Sequence, residues 1–474
     1  IHVVYKPLPA VVDSEKSIVA SAPVLHDRVG GNLISDREFV YGAPDDAFLN
    51  ADQRVGITVR YPRNSCTPIE CFVVVAEHDP ADGGYDVLAN FQGPFTLHSV
   101  MSLSLGVPAN RLRIRTPPDS GGSFGVKQAV FPYIVAMSLA SRLAGRPVKW
   151  VEDRLEHLLA ANAATGRVTR IEAAVTNEGE VTAFDITQLE DCGAYLRAPE
   201  PASLYRMHGN LSGPYKLRHM RVRNQVALTN TVPSGLNRGF GGPQLYYAIE
   251  RLMDKIATTL DIDRVELRKR NLISSSEFPY RCPAGALLDS GDYQRSVDIA
   301  SAEGKLPDLL RRRHSARAEG RLYGIGCAAV VEPSMSNMGY ITAVLKAEER
   351  ELAGPKNGGL TVASVTLDPL GSVSVTIDSL PQGQGHRTAV AQVVSEVLGI
   401  FPGDVAVESG FDTRVTGWSI GAGNYSSRFG PAVAGAVYQA ASRLRARLAR
   451  LASQQLNVAA ERIEFSGGKI FTVD

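Results

Sequence analysis

Cysteine is scarce in this sequence, and only Cys66 and Cys71 lie near each other. The 474 residues contain five of them: Cys66, Cys71, Cys192, Cys282 and Cys327. The number is odd, and no CxxC or paired Cys/His spacing occurs. These features argue against a disulfide scaffold, a zinc ribbon and an iron–sulfur cluster, and they predict a cytoplasmic protein in a reducing compartment.

An excess of charge of one sign and a long apolar run are also missing. Lys and Arg together number 50 against 49 Asp and Glu, which argues against electrostatic binding of nucleic acid or membrane. No apolar run approaches the length of a membrane span, and the first residues do not resemble a signal peptide. The chain begins at Ile1 without a methionine, from which we expect a processed chain or a fragment.

Predicted strands and helices alternate along the chain, and four strand-to-helix junctions carry distinctive loops. The loops are ANFQG (89–93), SGGSFG (120–125), SGLNRGFGG (234–242) and QGQG (382–385). The helix after the second loop is predicted to end at Gly145, and Pro243 is placed for the first turn of another helix. Glycines at such junctions allow tight turns and bring backbone N–H groups close to a bound group.

Two segments, 171–186 and 363–377, alternate apolar and polar residues around a glycine turn and predict hairpins. The repeated hairpin-plus-helix plan predicts two related domains that meet between residues 300 and 330. The charged stretch 346–359 is expected to be a solvated loop or insertion.

None of these loops is a known nucleotide motif. SGGSFGVK lacks the Ser or Thr and the glycine spacing of a P-loop, and GxGxxG does not occur. A single Gly-rich loop is more often a tight turn than a ligand site. QGQGH differs because amide side chains and open backbone together suit a large polar cofactor, and the four loops in this order are more specific than any one alone.

The loops and their order resemble the molybdenum-binding large subunit of the xanthine oxidase family of molybdenum hydroxylases. SGGSFGVK matches the GGxFGxK loop of that family, NRGFGGPQ its RGFGGPQ loop, and QGQGH and NYSSR (424–428) its later segments. The implied fold is α+β, with two related molybdopterin-binding domains of mixed sheets and helices. We expect the end of a small α/β-hammerhead-like domain at 1–40, a first molybdopterin-binding domain at 41–310, and a second, incomplete at its C-terminus, at 311–474.

The resemblance assigns site residues by position. Gln92 falls where the family has an active-site glutamine, which donates a hydrogen bond toward the apical oxygen on molybdenum; the other interpretation is an exposed turn glutamine. The metal itself is held by the pterin and not by protein side chains. Phe124 could equally be a core aromatic, and Arg238 a salt-bridge partner. The expected cofactor-binding residues are Gly121, Gly122, Phe124, Gly125, Arg238, Gly239, Phe240, Gly241, Gly383, Gln384, Gly385, Ser426, Ser427 and Arg428.

Three positions are expected in the substrate pocket, and two of them depart from the xanthine-oxidising pattern. Gln128 stands where purine oxidisers carry a glutamate, and Asn237 where they carry a phenylalanine. Arg206 matches their substrate arginine by spacing alone. The sequence therefore argues against xanthine as substrate, and the absence of cysteine from SGLNRGFGG argues against carbon monoxide dehydrogenase activity.

The catalytic base of the family, a glutamate near the C-terminus, is not matched by any Gly-Glu pair in the last hundred residues. We expect either a fragment or a split subunit whose partner chain supplies the glutamate. Glu70 is a local candidate, but a structural role is favoured for it.

The expected activity is a molybdenum-dependent hydroxylase or dehydrogenase that oxidises an N-heterocyclic aromatic or aldehyde and takes oxygen from water. The alternative is a non-catalytic half that binds cofactor or subunits. The resemblance implies molybdopterin, as the cytosine dinucleotide, with molybdenum. It also implies FAD and 2Fe-2S centres on partner subunits of a heteromeric complex, because the sequence contains no motif for either.

Overall fold

The computed structural model describes residues 2–197, 209–332, 360–418 and 423–472. Its α-helices are α1 (Ser14–Ser17), α2 (Pro44–Leu49), α3 (His98–Leu105), α4 (Phe131–Ala144), α5 (Arg154–Ala160), α6 (Gly242–Thr259), α7 (Arg264–Asn271), α8 (Tyr293–Glu303), α9 (Leu306–Ala318), α10 (His386–Leu398) and α11 (Gly435–Leu456). Among the described residues, no helix combines the length and the apolarity needed to cross a bilayer.

The strands are β1 (Leu33–Tyr41), β2 (Gln53–Tyr61), β3 (Val73–Asp79), β4 (Gly84–Ala89), β5 (Leu112–Arg115), β6 (Val148–Val151), β7 (Gly166–Val175), β8 (Val181–Asp191), β9 (His219–Ala227), β10 (Tyr280–Arg281), β11 (Leu287–Leu288), β12 (Ala363–Leu367), β13 (Val373–Ile377), β14 (Val405–Ser409), β15 (Ile463–Ser466) and β16 (Lys469–Thr472). Parallel and antiparallel pairs occur in the same sheets, and the predicted α+β class is confirmed.

The chain forms two compact units, neither of which is continuous in sequence. The first contains residues 1–64, 163–235 and 239–333. The second contains residues 65–162, 236–238 and 334–474. Loops that follow each other in the sequence are thus divided between units, and Arg238 and Gly239 are assigned to different ones.

The first unit is built on a five-stranded sheet with the order β1-β9-β8-β7-β2. Strands β7 and β8 form the predicted first hairpin, with Ile171 opposite Ile186. Helix α6 presents Leu245, Ile249, Leu252 and Ile256 to the core at the spacing of one helix face. Pro243 lies in its first turn, as predicted.

A buried polar network also lies in this unit. The fully buried Arg268 guanidinium donates to Glu250 Oε2 at 2.7 Å and to Asp254 Oδ1 at 3.0 Å, and the Tyr215 hydroxyl donates to Glu250 Oε1 at 2.5 Å. Because an unpaired charge at such depth is strongly unfavourable, this network fixes the packing of α6 against α7.

The second unit contains the same local plan twice. In one copy, the antiparallel pair β3–β4 is followed by α3 and by β5, which lies parallel to β4. In the other, the predicted hairpin β12–β13 is followed by α10 and by β14, which lies parallel to β13. The repeat expected from the sequence rested on a different pair of hairpins, because 171–186 forms β7–β8 in the first unit, and the expected meeting of two related domains between residues 300 and 330 stays a prediction.

Helix α4 follows the SGGSFG loop and packs on β3. It ends as predicted, with Gly145 in the left-handed region at φ 61°. The charged stretch 346–359, expected to be a solvated loop, lies outside the described residues.

Candidate functional site

Gln92 follows β4 and is buried, so the alternative of an exposed turn glutamine is not what the structure shows. Its Oε1 accepts a hydrogen bond from Ser123 Oγ, and its Nε2 donates to the carbonyl of Asn424 at 3.3 Å. Ser123 Oγ in turn accepts the backbone N–H of Gly125 at 3.3 Å and of Lys127 at 3.2 Å, so its own proton is left for Gln92. Ser123 and Asn424 thus favour the same orientation of the Gln92 amide, with its oxygen toward Ser123 and its nitrogen toward Asn424.

The SGGSFG loop runs through conformations that favour glycine. Gly122 has φ 90° and Gly125 φ 113°, and a Cβ on Gly125 would lie 2.7 Å from the carbonyl of Leu236. Phe124 adopts φ 54° although it is not glycine, and its side chain is 48% exposed. A strained backbone that exposes an aromatic ring is typical of a functional loop. Phe124 is therefore not the core aromatic that the sequence analysis gave as its other interpretation.

An ion pair between the buried Lys127 and the partly exposed Glu70 anchors the same loop. Lys127 is fully buried, and its Nζ donates to Glu70 Oε2 and, at 2.6 Å, to Ser120 Oγ. The same carboxylate oxygen accepts from Ser120 Oγ at 2.7 Å, from Asn90 Nδ2 at 3.0 Å and from the N–H of Gly121 at 3.0 Å.

The anchor decides the role of Glu70. Burial pushes the pKa of Glu70 upward, but the hydrogen bonds from Lys127, Ser120 and Asn90 outweigh it and lower the pKa from 4.5 to about 2. A carboxylate this weakly basic does not accept protons near neutral pH. The structural role that the sequence favoured for Glu70 agrees with this geometry.

The RGFGG loop has three successive residues with positive φ: Gly239 at 88°, Phe240 at 25° and Gly241 at 86°. Arg238 is exposed and makes no ion pair within the described residues. The other interpretation of Arg238, as a salt-bridge partner, therefore has no support in that part of the chain. Asn237 is half-buried.

The QGQG loop is open to solvent at its centre. Gly383 has φ 101° and Gly385 φ 76°, and a Cβ on either would meet nothing within 4 Å. The Gln382 backbone N–H donates to Gln384 Oε1 at 2.6 Å. Gln382 Nε2 is buried and has no hydrogen-bond partner among the described residues. The loop therefore offers exposed backbone and an unused amide donor.

The histidine after this loop is held inside the protein. His386 stacks on Phe429 at a ring distance of 4.0 Å, and its Nδ1 lies 2.8 Å from Ser379 Oγ. Burial lowers the pKa of His386 from 6.5 to about 4, so the ring is neutral at physiological pH.

The NYSSR stretch divides between exposed hydroxyls and a buried guanidinium. Ser426 and Ser427 have φ 48° and 53°, and Ser427 is exposed. Arg428 is buried and donates to Asp378 Oδ2 at 3.0 Å, to the Asp378 carbonyl at 3.1 Å and to the Leu360 carbonyl at 2.6 Å. The predicted phosphate contacts of this stretch stay predictions. The Arg428 guanidinium already donates its hydrogen bonds to groups of the protein.

Gln128 and Arg206 complete the predicted positions. Gln128 is buried, and its Oε1 accepts a hydrogen bond from the Tyr425 hydroxyl at 3.2 Å. The Tyr425 hydroxyl also lies 2.9 Å from Thr96 Oγ1. Arg206 lies outside the described residues. Hydrogen bonds within the second unit thus join the ANFQG, SGGSFG and NYSSR segments around Gln92 and Gln128.

Comparison with known families matches two models, each described as a molybdopterin cofactor-binding domain, to residues 25–272 and 302–474. The first alone spans more than half of the chain. The chain belongs to the molybdopterin cofactor-binding domain family. The resemblance to molybdenum-binding large subunits of the xanthine oxidase family and the fold of two molybdopterin-binding domains are confirmed.

Relatives of this molybdopterin-binding chain include large subunits of several enzymes. It is 32% identical to the nicotine 6-hydroxylase large subunit of Paenarthrobacter nicotinovorans over 97% of this chain and 55% of the relative. It is 30% identical to the carbon monoxide dehydrogenase large chain of Hydrogenophaga pseudoflava over 97% of this chain and 58% of the relative. The crystal structure of quinoline 2-oxidoreductase from Pseudomonas putida 86 matches with a TM-score of 0.84 and 28% identity, over 99% of this chain and 58% of that one. The chain thus spans little more than half the length of these relatives.

The residues of the molybdopterin-binding chain fit the cofactor that its family binds. The exposed QGQG backbone, the unused Gln382 amide and the outward Ser427 hydroxyl are donors suited to phosphate and pterin groups.

Sequence reasoning missed the residues that orient the others. Ser123 lies inside the quoted SGGSFG loop and Asn424 and Tyr425 inside NYSSR, yet none was assigned a role. A serine in a glycine-rich loop, next to a residue with a strained backbone, often uses its hydroxyl to accept hydrogen bonds from backbone N–H groups of the loop. Ser123 could have been found by this signal. The partner identities are contacts between distant segments, which no local pattern contains.

Proposed function

We propose that this chain is the cofactor-binding part of a molybdenum hydroxylase that oxidises an N-heterocyclic aromatic or aldehyde substrate, with water as the oxygen source. The observation that carries the proposal is the buried Gln92 amide, which Ser123 and Asn424 orient in one sense. Two relatives are named for nicotine and quinoline, which supports an N-heterocycle before an aldehyde. The alternative is a non-catalytic half that binds cofactor or partner subunits.

The chain's own part in the reaction follows from its geometry. When bound, the cofactor supplies a metal centre that exchanges an oxygen atom and two electrons. Gln92 Nε2 gives up only a long 3.3 Å hydrogen bond if it donates instead to an oxygen of the cofactor, while Ser123 holds the other side of the amide. Such a donor stabilises developing negative charge without adding a charge of its own.

Glu70 does not serve as the base in this proposal, because its carboxylate is held ionised by Lys127, Ser120 and Asn90. We propose instead that a glutamate from a partner chain, or from sequence beyond this chain, acts as the general base. The cofactor form is proposed to be the cytosine dinucleotide, with FAD and 2Fe-2S centres on partner subunits and a cytoplasmic location.

The test uses protein purified gently from its natural source with any companion subunits retained. Molybdenum per chain is measured by metal mass spectrometry. Turnover is measured with nicotine, quinoline, benzaldehyde and carbon monoxide, with an artificial electron acceptor and 18O-labelled water. We expect about one molybdenum per chain and 18O in the product from a heterocycle or an aldehyde.

Two variants separate binding from catalysis. Gly385→Trp is expected to abolish molybdenum retention, since the bulk would fill the open loop, whereas Gln92→Ala is expected to keep molybdenum and lose turnover. Absence of molybdenum from a preparation with its companions would refute the proposal. Molybdenum without turnover of any substrate would favour the non-catalytic alternative.

A further inference from the structure

A second group of chemically active side chains lies where β3 and β6 pair at one edge of a four-stranded sheet with the order β5-β4-β3-β6. Cys71 lies two residues before β3, and Glu152 directly follows β6, with Val73 opposite Val151 in the antiparallel register. His157 lies on the short helix α5, which begins two residues after Glu152. Adjacent strand ends and the following helix thus bring the three residues together.

The contacts of this group leave ligand atoms unused. Glu152 and His157 are 3% and 1% exposed, and His157 Nδ1 lies 2.7 Å from Glu152 Oε2. The Phe72 backbone N–H also donates to this oxygen, at 3.0 Å. Glu152 Oε1 and His157 Nε2 are buried and have no hydrogen-bond partner among the described residues.

A simple histidine–glutamate pair does not satisfy these atoms. If the imidazole is neutral, Nε2 is left without a partner, either as an acceptor or as an N–H donor. If the imidazole is protonated, its Nε2–H is left without an acceptor. Buried polar atoms in native proteins are almost always paired, and an unexplained exception often marks an ion or another ligand.

With Cys71 as the third residue, the group has the ligand types that bind a transition metal. One ligand atom each from Cys71, Glu152 and His157 lies within 4.8 Å of the other two. Thiolate, imidazole and carboxylate bind zinc at about 2.0–2.3 Å, so ligand atoms in a tetrahedral site lie within a few ångström of one another. Cys71 is only half-buried, which gives a metal ion a path in and leaves room for water as a fourth ligand.

Charges of both signs act on the thiol. Arg154 and Lys127 act on Cys71 with positive charge, and Glu152 and Asp153 with negative charge.

We propose that Cys71, Glu152 and His157 form a binding site for a zinc-like divalent transition metal. This site goes beyond the proposed function, since none of its residues belongs to the cofactor loops. The competing explanation is a buried histidine–glutamate contact that ties α5 to the sheet, with Cys71 nearby by chance.

The experiment titrates chelator-treated protein with Co²⁺ alone and then with Zn²⁺. Near one equivalent of Co²⁺ is expected to bind with a thiolate-to-cobalt charge-transfer absorption, which Zn²⁺ then abolishes. Cys71→Ser is expected to remove that absorption and weaken metal binding at least about tenfold, because it deletes the thiolate and leaves the contact of Glu152 with His157 in place. Cys327→Ser, which changes another half-buried cysteine, is the matched control and should bind as the parent does.

Molybdenum content of the same preparations keeps this test separate from the proposed function, and Cys71→Ser should leave it unchanged. His157→Gln, with its fold checked by circular dichroism, should also lose the metal. Unchanged Co²⁺ binding by Cys71→Ser, or Co²⁺ binding without a thiolate absorption in the parent, would overturn the proposal in favour of the histidine–glutamate contact.

Discussion

At the scale of single residues, the hydroxyl of Ser123 has the clearest expected effect. Two backbone N–H groups occupy its acceptor sites, and its proton orients Gln92. Ser123→Ala should let the amide turn and lower kcat about fivefold, because a neutral hydrogen bond contributes about 1 kcal/mol and 1.36 kcal/mol corresponds to a factor of ten. Molybdenum content should stay unchanged.

The matched control for Ser123→Ala is Ser138→Ala. Ser138 is also fully buried, but its hydroxyl has no partner among the described residues, so its removal should not lower kcat. Equal losses of kcat in both variants would mean that the Ser123 effect is general packing and not orientation of Gln92.

The pair Glu70–Lys127 is expected to matter for stability before it matters for catalysis. Glu70→Gln removes the charge that compensates a fully buried lysine, and loss of one partner of such a pair costs about 3 kcal/mol. The free energy of unfolding from urea denaturation measures this. Because Lys127→Met removes the buried charge itself, the double variant should recover much of the loss, and additive losses would contradict the ion-pair interpretation.

At the scale of secondary-structure elements, His386 at the start of α10 predicts a pH dependence of stability. Its pKa is 6.5 in the unfolded chain and about 4 in the fold. The folded state excludes the proton that the unfolded state takes up below pH 6.5, so this contribution is fully present above pH 6.5 and is lost as pH falls toward 4. A shift of this size corresponds to roughly 3 kcal/mol.

The measurement is urea denaturation between pH 7.5 and pH 5. His386→Gln should flatten the fall in the free energy of unfolding over that range, and His314→Gln, which changes an exposed histidine of α9, should not. An unchanged slope in His386→Gln would show that other groups dominate the pH dependence.

The elements themselves were largely predictable from the sequence. Both hairpins, the helix end at Gly145 and the first turn at Pro243 follow from alternation, glycine and proline, which act within a few residues. The loops were found through their glycines, because left-handed backbone restricts the residue type locally. The hydrogen bond from Gln92 to Asn424 joins residues 332 positions apart, and no local rule predicts it.

At the scale of the whole molecule, the two family models do not coincide with the compact units. The second unit draws on residues of both matched segments, because β5 and the loop after it contact the segments that follow β13 and β14. Thr116 N donates to the Phe411 carbonyl at 2.9 Å, and Ser120 N to the Pro381 carbonyl at 3.0 Å. Phe95, Leu380 and Phe411 form one small buried cluster.

These contacts predict the behaviour of a chain divided at residue 301. The fragments 1–301 and 302–474 should copurify when coexpressed, because separation would expose the cluster of Phe95, Leu380 and Phe411 and break the backbone pairing. Arg113→Ala should weaken their association about fivefold, since Arg113 contacts Asp412 across the cut and a partly buried pair contributes about 1 kcal/mol. Arg223→Ala, which breaks a pair with Asp36 inside fragment 1–301, should leave the association unchanged. Fragments that remain separate and folded would show that each matched segment completes its own core, and the contacts between β5 and the segment after β14 would then contribute little to the fold.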